Sequence, residues 1–309
     1  MNLLTALAYG CSYCNANARP LQRQHHSLLT STLLHFHPHR PSLSLFTSCP
    51  IITTLSFSPL FPNPNFLNAN TLFSAMEQLW SGSDSSKNKA MVENLRSYGI
   101  LTSKKVAEAM ETIDRAFFVP KGTQPYVDSP MAIGYNATIS APHMHATCLE
   151  LLEENLQPGM RALDVGSGTG YLTACFAYMV GPQGRAVGVE HIPELVSSSI
   201  ENIEKSAAAP LLKDGSLSVH CGDGRQGWAE FAPYDAIHVG AAAPEIPEAL
   251  IEQLKPGGRM VIPVGNMFQD LQVVDKNSDG SVSIRTETSV RYVPLTSRDD
   301  QLRGEATES

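Results

Sequence analysis

The sequence predicts a doubly wound α/β domain on a mostly parallel sheet, and three features carry that expectation. Short apolar runs at residues 161–165, 185–190, 217–221, 235–239 and 259–265 have strand length, and segments of helical periodicity fall between them. The first run passes into Gly166-Ser167-Gly168-Thr169-Gly170 and then into a helix marked by Leu172, Cys175, Phe176, Met179 and Val180. Glycines at alternate positions let the backbone turn sharply and approach a ligand that side chains would hold off. Sheets of this kind bind ligands at the C-terminal ends of their strands, where Gly166, Glu190, Asp223 and Gly240 all fall. A strand, a glycine loop and a helix N-terminus together predict a nucleotide or nucleoside site.

The chain opens on a stretch of different character. Residues 1–75 have no Asp, Glu or Lys and only three arginines, Arg19, Arg23 and Arg40, among many Ser, Thr, Pro, His and Leu. That is the composition of an organellar transit peptide; it has neither the compact apolar core of a secretory signal nor a run long enough to span a membrane. A chloroplast or another organelle is the expected address, with a cytoplasmic form if translation starts at Met76. Cys11-x-x-Cys14 and the nearby histidines are not read as a metal site, because nothing around them forms a packed supporting shell. The whole chain carries 22 basic and 30 acidic residues, a net charge of −8, and without the three leader arginines the balance is 19 to 30. With no Lys/Arg cluster, this argues against nucleic acid as a partner. Cys148, Cys175 and Cys221 lie in apolar segments without paired spacing and are expected in the core.

From Met76 onward the chain starts with helices, expected over residues 88–98 and 103–113. Residues 117–139, rich in Pro and Gly, form a long irregular connection of the kind that borders a site. It ends at Ala137-Thr138-Ile139-Ser140-Ala141-Pro142-His143-Met144-His145, after which Met144, Cys148, Leu151, Leu152 and Leu156 predict an amphipathic helix stopped by Pro158-Gly159. Ser140 stands at the head of that helix. Its hydroxyl either caps the helix or donates to an incoming carboxylate, a use made more valuable by Pro142, which lacks an N–H; spacing leaves both open.

Beyond the glycine loop, Glu190 ends the second strand, where a carboxylate can accept from both hydroxyls of a ribose. Ile192, Val196, Ile200 and Ile203 are expected to face inward on a helix opened by Pro193. Asp223, in Gly222-Asp223-Gly224, is expected to contact adenine. Residues 246–254 read as helix, 255–258 as a turn, and 271–275 with 282–288 as a closing antiparallel pair.

Gly166-x-Gly168-x-Gly170 differs from the G-x-G-x-x-G of dinucleotide sites and resembles the first motif of the S-adenosylmethionine-dependent methyltransferases, which implies their Rossmann-like sheet. Residues 163–173, Gly222-Asp223-Gly224-Arg225, residues 234–244, Leu254-Lys255-Pro256-Gly257-Gly258-Arg259 and Tyr292-Val293-Pro294-Leu295-Thr296 together resemble the protein-L-isoaspartate (D-aspartate) O-methyltransferase family. The segment 137–146 makes the resemblance specific, and it extends over nearly all of Met76 to Gln301.

The resemblance implies a methyltransferase domain over residues 76–309, with helices and a substrate segment in 76–157 and the cofactor-binding sheet in 158–309. It places the active-site serine on Ser140. The S-adenosyl-L-methionine pocket is expected on Ala137, Thr138, Ile139, Ser140, His145, Asp164, Gly166, Ser167, Gly168, Gly170, Glu190, His191, Asp223, Gly224, Thr296 and Gln301, without a metal. The implied reaction is methyl transfer to the free carboxylate of L-isoaspartyl and D-aspartyl residues in damaged proteins and peptides, carried out by a monomer. Two rivals remain at this point: a nicotinamide-dependent oxidoreductase on a similar sheet, and a noncatalytic scaffold with a vestigial pocket.

Overall fold

The computed structural model describes residues 84–303; the leader expected over residues 1–75 lies outside them. Helix α1 (Ser85–Ser97) starts at Asp84, whose carboxylate accepts from the amides of Ser86 and Lys87. Helix α2 (Lys104–Thr112) starts at Ser103, whose hydroxyl accepts from the amide of Val106. Met91, Val92, Leu95, Val106 and Met110 are buried between these helices and the next, so the pair belongs to the main core.

The connection expected to be irregular over residues 117–139 contains a hairpin. Strands β1 (Met131–Gly134) and β2 (Ala137–Ile139) pair antiparallel around Tyr135-Asn136, both at positive φ, 54° and 53°. Two-residue hairpin turns need that geometry and usually advertise it with Asn-Gly. A tyrosine in the first position conceals the turn from pattern reading. Helix α3 (Pro142–Leu152) follows, ending earlier than the apolar spacing suggests because a 3₁₀ turn, Glu153–Asn155, carries Leu156 into the core. Its N-cap residue is Ala141, with no side-chain cap. Ser140 precedes the cap, so the capping alternative for its hydroxyl is excluded.

The remaining elements alternate: β3 (Arg161–Val165), α4 (Tyr171–Val180), β4 (Arg185–Glu190), α5 (Pro193–Glu204), α6 (Ala209–Lys213), β5 (Leu217–Cys221), β6 (Tyr234–Val239), α7 (Glu248–Gln253), β7 (Leu254–Val264), β8 (Gln269–Lys276), β9 (Val282–Val290) and α8 (Arg298–Arg303). The strands form one seven-stranded sheet in the order β5-β4-β3-β6-β7-β8-β9, parallel through β7 and antiparallel at β8 and β9. This is the doubly wound, mostly parallel sheet that the sequence predicts.

Alternation along the strands sorts the side chains onto two unlike faces. Leu163, Val165, Val187, Val189, Ile237 and Val239 fill one with large apolar groups. The other carries Ala162, Ala186 and Ala236 beneath α4, and small residues there let that helix sit close to β3 and β4. Each fully buried large side chain contributes about 1.5–3 kcal/mol.

Four details differ from the sequence-based expectation. The buried stripe of α5 runs through Leu195, Ser199 and Ile203, with Val196 and Ile200 only half-buried; a serine is buried because Gly170 comes too close for a larger residue. Helix α7 is shorter than expected. The Lys255-Pro256-Gly257-Gly258 segment is absorbed as an irregularity within β7, between the Tyr234–Leu254 and Ala236–Arg259 pairs, with Gly257 at φ +84°. Cys221 is exposed at the end of edge strand β5, whereas Cys148 and Cys175 are buried.

Gly170 has φ +88°, and a Cβ there would lie 3.0 Å from Cβ of Ser199 and 3.2 Å from Cδ1 of Ile203. Gly170→Ala is therefore expected to lower the unfolding free energy by about 2–4 kcal/mol, combining left-handed strain with overpacking, as measured by urea denaturation.

Candidate active site

The chain runs outward from β3 through β4 to β5, then returns to the other side of β3 as β6, so the β3–β6 junction is where the winding reverses. A crevice opens at such a junction. Here the two strand ends stay close: the Gly240 amide donates to the Val165 carbonyl at 2.8 Å, and a Cβ on Gly240 would sit 3.0 Å from the Gly166 carbonyl oxygen. Side chains at these positions would close the crevice.

Two adjoining cavities occupy it. One holds about 520 Å³ of empty space, part of it open to solvent, and is lined by Ala137, Thr138, Gly166, Gly168, Glu190, His191, Gly224, Thr296 and Gln301 among the expected residues. The second, about 370 Å³, adds Ile139, Ser140, His145, Asp164 and Ser167. Asp223 and Gly170 line neither. The Asp223 carboxylate is taken up by the amide and guanidinium of Arg225, the latter at 2.7 Å, and Gly170 packs α4 onto α5.

A wider groove, open to solvent, runs alongside and is lined by Pro130, His143, Met144 and residues 289–293. Thr138, Ser140 and Gly240 border both this groove and the cavities. His143 is held at the groove by Asp128, whose Oδ1 accepts from its amide at 2.9 Å.

The C-terminal segment closes the larger cavity. Ala242 donates its amide to the Val293 carbonyl at 2.8 Å and accepts on its own carbonyl from the Leu295 amide at 2.7 Å, bridging either side of Pro294. Gln301 then donates from Nε2 to the Tyr135 carbonyl at 2.8 Å, accepts from Asn136 on its own carbonyl at 2.8 Å, and meets His191 Nε2 at 2.9 Å. This clamp ties α8 to the strained hairpin turn.

Buried polar groups are arranged beneath the glycine loop. Asp164 and His238 are directly opposed on β3 and β6; Asp164 Oδ1 lies 2.8 Å from His238 Nδ1, and Oδ2 accepts from Thr173 at 2.5 Å. Burial alone would lower the His238 pKa. The hydrogen bonds and charges of Asp164 and Cys148 together outweigh that and push it up to about 10, so the imidazole is charged at neutral pH.

Next to it, Arg115 donates from Nη2 to the Ser140 carbonyl at 2.8 Å and from Nη1 to His145 Nδ1 at 3.2 Å. Burial, then the charge of Arg115, hold His145 well below its usual pKa, in the neutral form. Tyr292 lines the groove beside Ser140, with its hydroxyl 4.0 Å from Cys148 Sγ.

Residues 86–300 match the family model described as Protein-L-isoaspartate(D-aspartate) O-methyltransferase (PCMT). The chain belongs to that family. It is 77% identical to Protein-L-isoaspartate O-methyltransferase 1 of Arabidopsis thaliana over 74% of its own length and the whole of that relative, and 72% identical to the Triticum aestivum protein-L-isoaspartate O-methyltransferase over 74% of this chain and 99% of the other. A beta-aspartate methyltransferase (PCMT) from Plasmodium falciparum, solved in complex with S-adenosyl-L-homocysteine, superposes with a TM-score of 0.62 at 35% identity, covering 68% of this chain and 98% of that one. Membership of this family removes the oxidoreductase alternative.

Residues of this family member that sequence reading left out fall into two groups. Ile133, Val189 and residues 293–295 line the larger cavity as apolar walls, and only the hairpin and the C-terminal bridge bring them there. Arg115 acts behind the lining, while His238 lines the second cavity and Tyr292 the open groove. A charged residue in an otherwise apolar turn, Arg115-Ala116-Phe117-Phe118, was the one signal available for Arg115.

The His238 charge gives a pH test. Its folded pKa is raised above the ordinary 6.5, so its stabilisation is fully present below about pH 6.5 and is lost as pH rises through about 10. His238→Gln keeps a neutral donor and loses the charge. It is expected to cost about 1.5–3 kcal/mol at pH 6, and the gap to wild type in urea denaturation should narrow as the pH is raised toward 10.

Proposed function

We propose that this protein methylates the free carboxylate of L-isoaspartyl and D-aspartyl residues in damaged polypeptides, using S-adenosyl-L-methionine, and so starts their repair. The single observation carrying this reading is Ser140, which borders the glycine-loop cavity on one side and an open groove on the other.

The cavity suits the cofactor in three ways. Glu190 is buried in its wall and accepts one amide on each carboxylate oxygen, from Gly168 at 3.0 Å and Ile192 at 3.1 Å; each oxygen keeps a lone pair for one hydroxyl of a ribose diol. Ser167 Oγ is buried there without a protein partner. Gly168 leaves room that a Cβ, 3.1 Å from Ile133 Cδ1, would fill. His191, Gly224, Thr296 and Gln301 complete the enclosure. When bound, S-adenosyl-L-methionine supplies an electrophilic methyl group on a positively charged sulfur.

The protein's own residues have little proton chemistry to do. A substrate carboxylate, with an ordinary pKa of about 3.9, is ionised at neutral pH and needs no general base. Ser140 orients it by hydrogen bonding, with Tyr292 and His145 supporting, and is not a covalent nucleophile. Holding reacting atoms about 3–3.5 Å apart contributes several kcal/mol. Ile133, Val189 and Leu295 exclude water, which favours a step in which opposite charges cancel. The resulting ester is labile and closes to a succinimide, which reopens in part to normal aspartate. Residues 1–75 are read as an organellar address on composition alone.

With labelled methyl donor and an isoaspartyl peptide, Ser140→Ala is expected to lower kcat about 10²-fold while S-adenosyl-L-homocysteine affinity by calorimetry stays within about twofold. Glu190→Gln should show the opposite pattern, weakening S-adenosyl-L-homocysteine by about tenfold or more. Undiminished turnover in the serine variant would remove the role given to Ser140.

A further inference from the structure

Arg115 is fully buried, yet none of the ion pairs among the described residues includes it. Its contacts are the neutral Ser140 carbonyl, the His145 ring nitrogen and the face of Tyr171, whose centroid lies 5.6 Å away, while Nε has no partner. Burial pulls its pKa down to about 10, which still leaves it charged at neutral pH. Asp128 is an opposite charge that acts on it without forming an ion pair, and a buried cation held in no direct ion pair costs several kcal/mol. A site that receives an anion and turns it into a neutral ester offsets that cost only while the anion is present.

The two hydrogen bonds also set chemistry. A guanidinium can only donate, so the nitrogen facing it, His145 Nδ1, must accept, and in a neutral ring the proton then sits on Nε2. The second bond fixes the Ser140 carbonyl and with it the backbone that presents the serine hydroxyl.

We propose that Arg115 is a positioning residue of the transfer site: it locks the Ser140 backbone, holds His145 as the Nε2–H tautomer, and supplies a positive charge, held in no direct ion pair, that draws the substrate carboxylate to Ser140. The last part rests on the carboxylate-methylation reading above. The charge acts on binding more than on the chemical step, because attraction to an anion is present before the transition state and fades as the ester forms. It also favours release of the neutral product.

Every group facing His145 enters the pH argument: Arg115 from the 3₁₀ turn Arg115–Phe118, Tyr171 of α4 at 4.9 Å between rings, His238 of β6 in its pair with Asp164, and His143 on the same helix. Of these, Arg115 is the cation in direct contact.

The test combines a spectrum with kinetics. In ¹⁵N-histidine-labelled wild-type protein, long-range proton–nitrogen correlation is expected to show His145 neutral with the proton on Nε2 at pH 7, and unchanged at pH 5.5. Arg115→Met should release the tautomer, so that His145 also populates the Nδ1–H form at pH 7, and raise KM for an isoaspartyl peptide about tenfold with a smaller change in kcat; Arg115→Lys should recover part of the KM. A wild-type His145 protonated on Nδ1, or a methionine variant with an unchanged spectrum and KM, overturns the proposal. The wild-type spectrum decides even if the methionine variant does not fold. It is also independent of substrate, so absence of peptide methylation by the wild type would count against the functional reading and not against this arrangement.

Discussion

The closeness of β3 and β6 at the point where the sheet reverses its winding is the constraint on which the rest depends. Gly240 donates to Val165 at 2.8 Å and comes within contact of the Gly166 carbonyl, so two strands meet with no side chain between their ends. Directly below, the same pairing sets Asp164 opposite His238, placing a carboxylate and an imidazolium side by side on the face made shallow by alanines. Above, the freed space becomes the cavity. One register therefore fixes both the polar floor and the ligand volume, and a slip of one residue would send Asp164 to the face filled by leucine and valine.

Around this junction the protein separates a partly walled cavity from an open groove. Hairpin β1–β2 and the C-terminal segment wall the cavity and are fastened to each other through Gln301, whose bonds to Tyr135 and Asn136 hold a turn whose positive φ is unusual for the tyrosine. The groove beyond Ser140 has no such cover. Methyl transfer between a small enclosed donor and a large polypeptide acceptor needs this asymmetry, and Ser140 and Thr138 sit where the two compartments meet. Ser140 itself is held through its carbonyl by Arg115 and shares the groove wall with Tyr292, two residues from segments far apart in the chain.

Much of this was legible in the sequence because it is local. Strand runs, the glycine loop and Glu190 follow one another within thirty residues, and short-range periodicity reports them directly. What escaped is long-range or atypical. The hairpin lacks the usual Asn-Gly signal, β7 absorbs a Pro-Gly-Gly segment that resembles a turn, and the buried face of α5 carries a serine because of a glycine elsewhere in the chain. Asp223 follows a strand as expected, yet Arg225, two residues on, occupies its carboxylate. Arg115 and His238 are visible only once the fold brings them to Ser140 and Asp164.

The account's central claim is spatial, and one structure tests it most directly: crystals grown with S-adenosyl-L-homocysteine and an isoaspartyl peptide. The ribose hydroxyls are predicted on Glu190, with the peptide carboxylate about 3 Å from the Ser140 hydroxyl and facing the sulfur across the border between cavity and groove. A nucleoside lodged outside the glycine crevice, or a carboxylate bound away from Ser140, would contradict it.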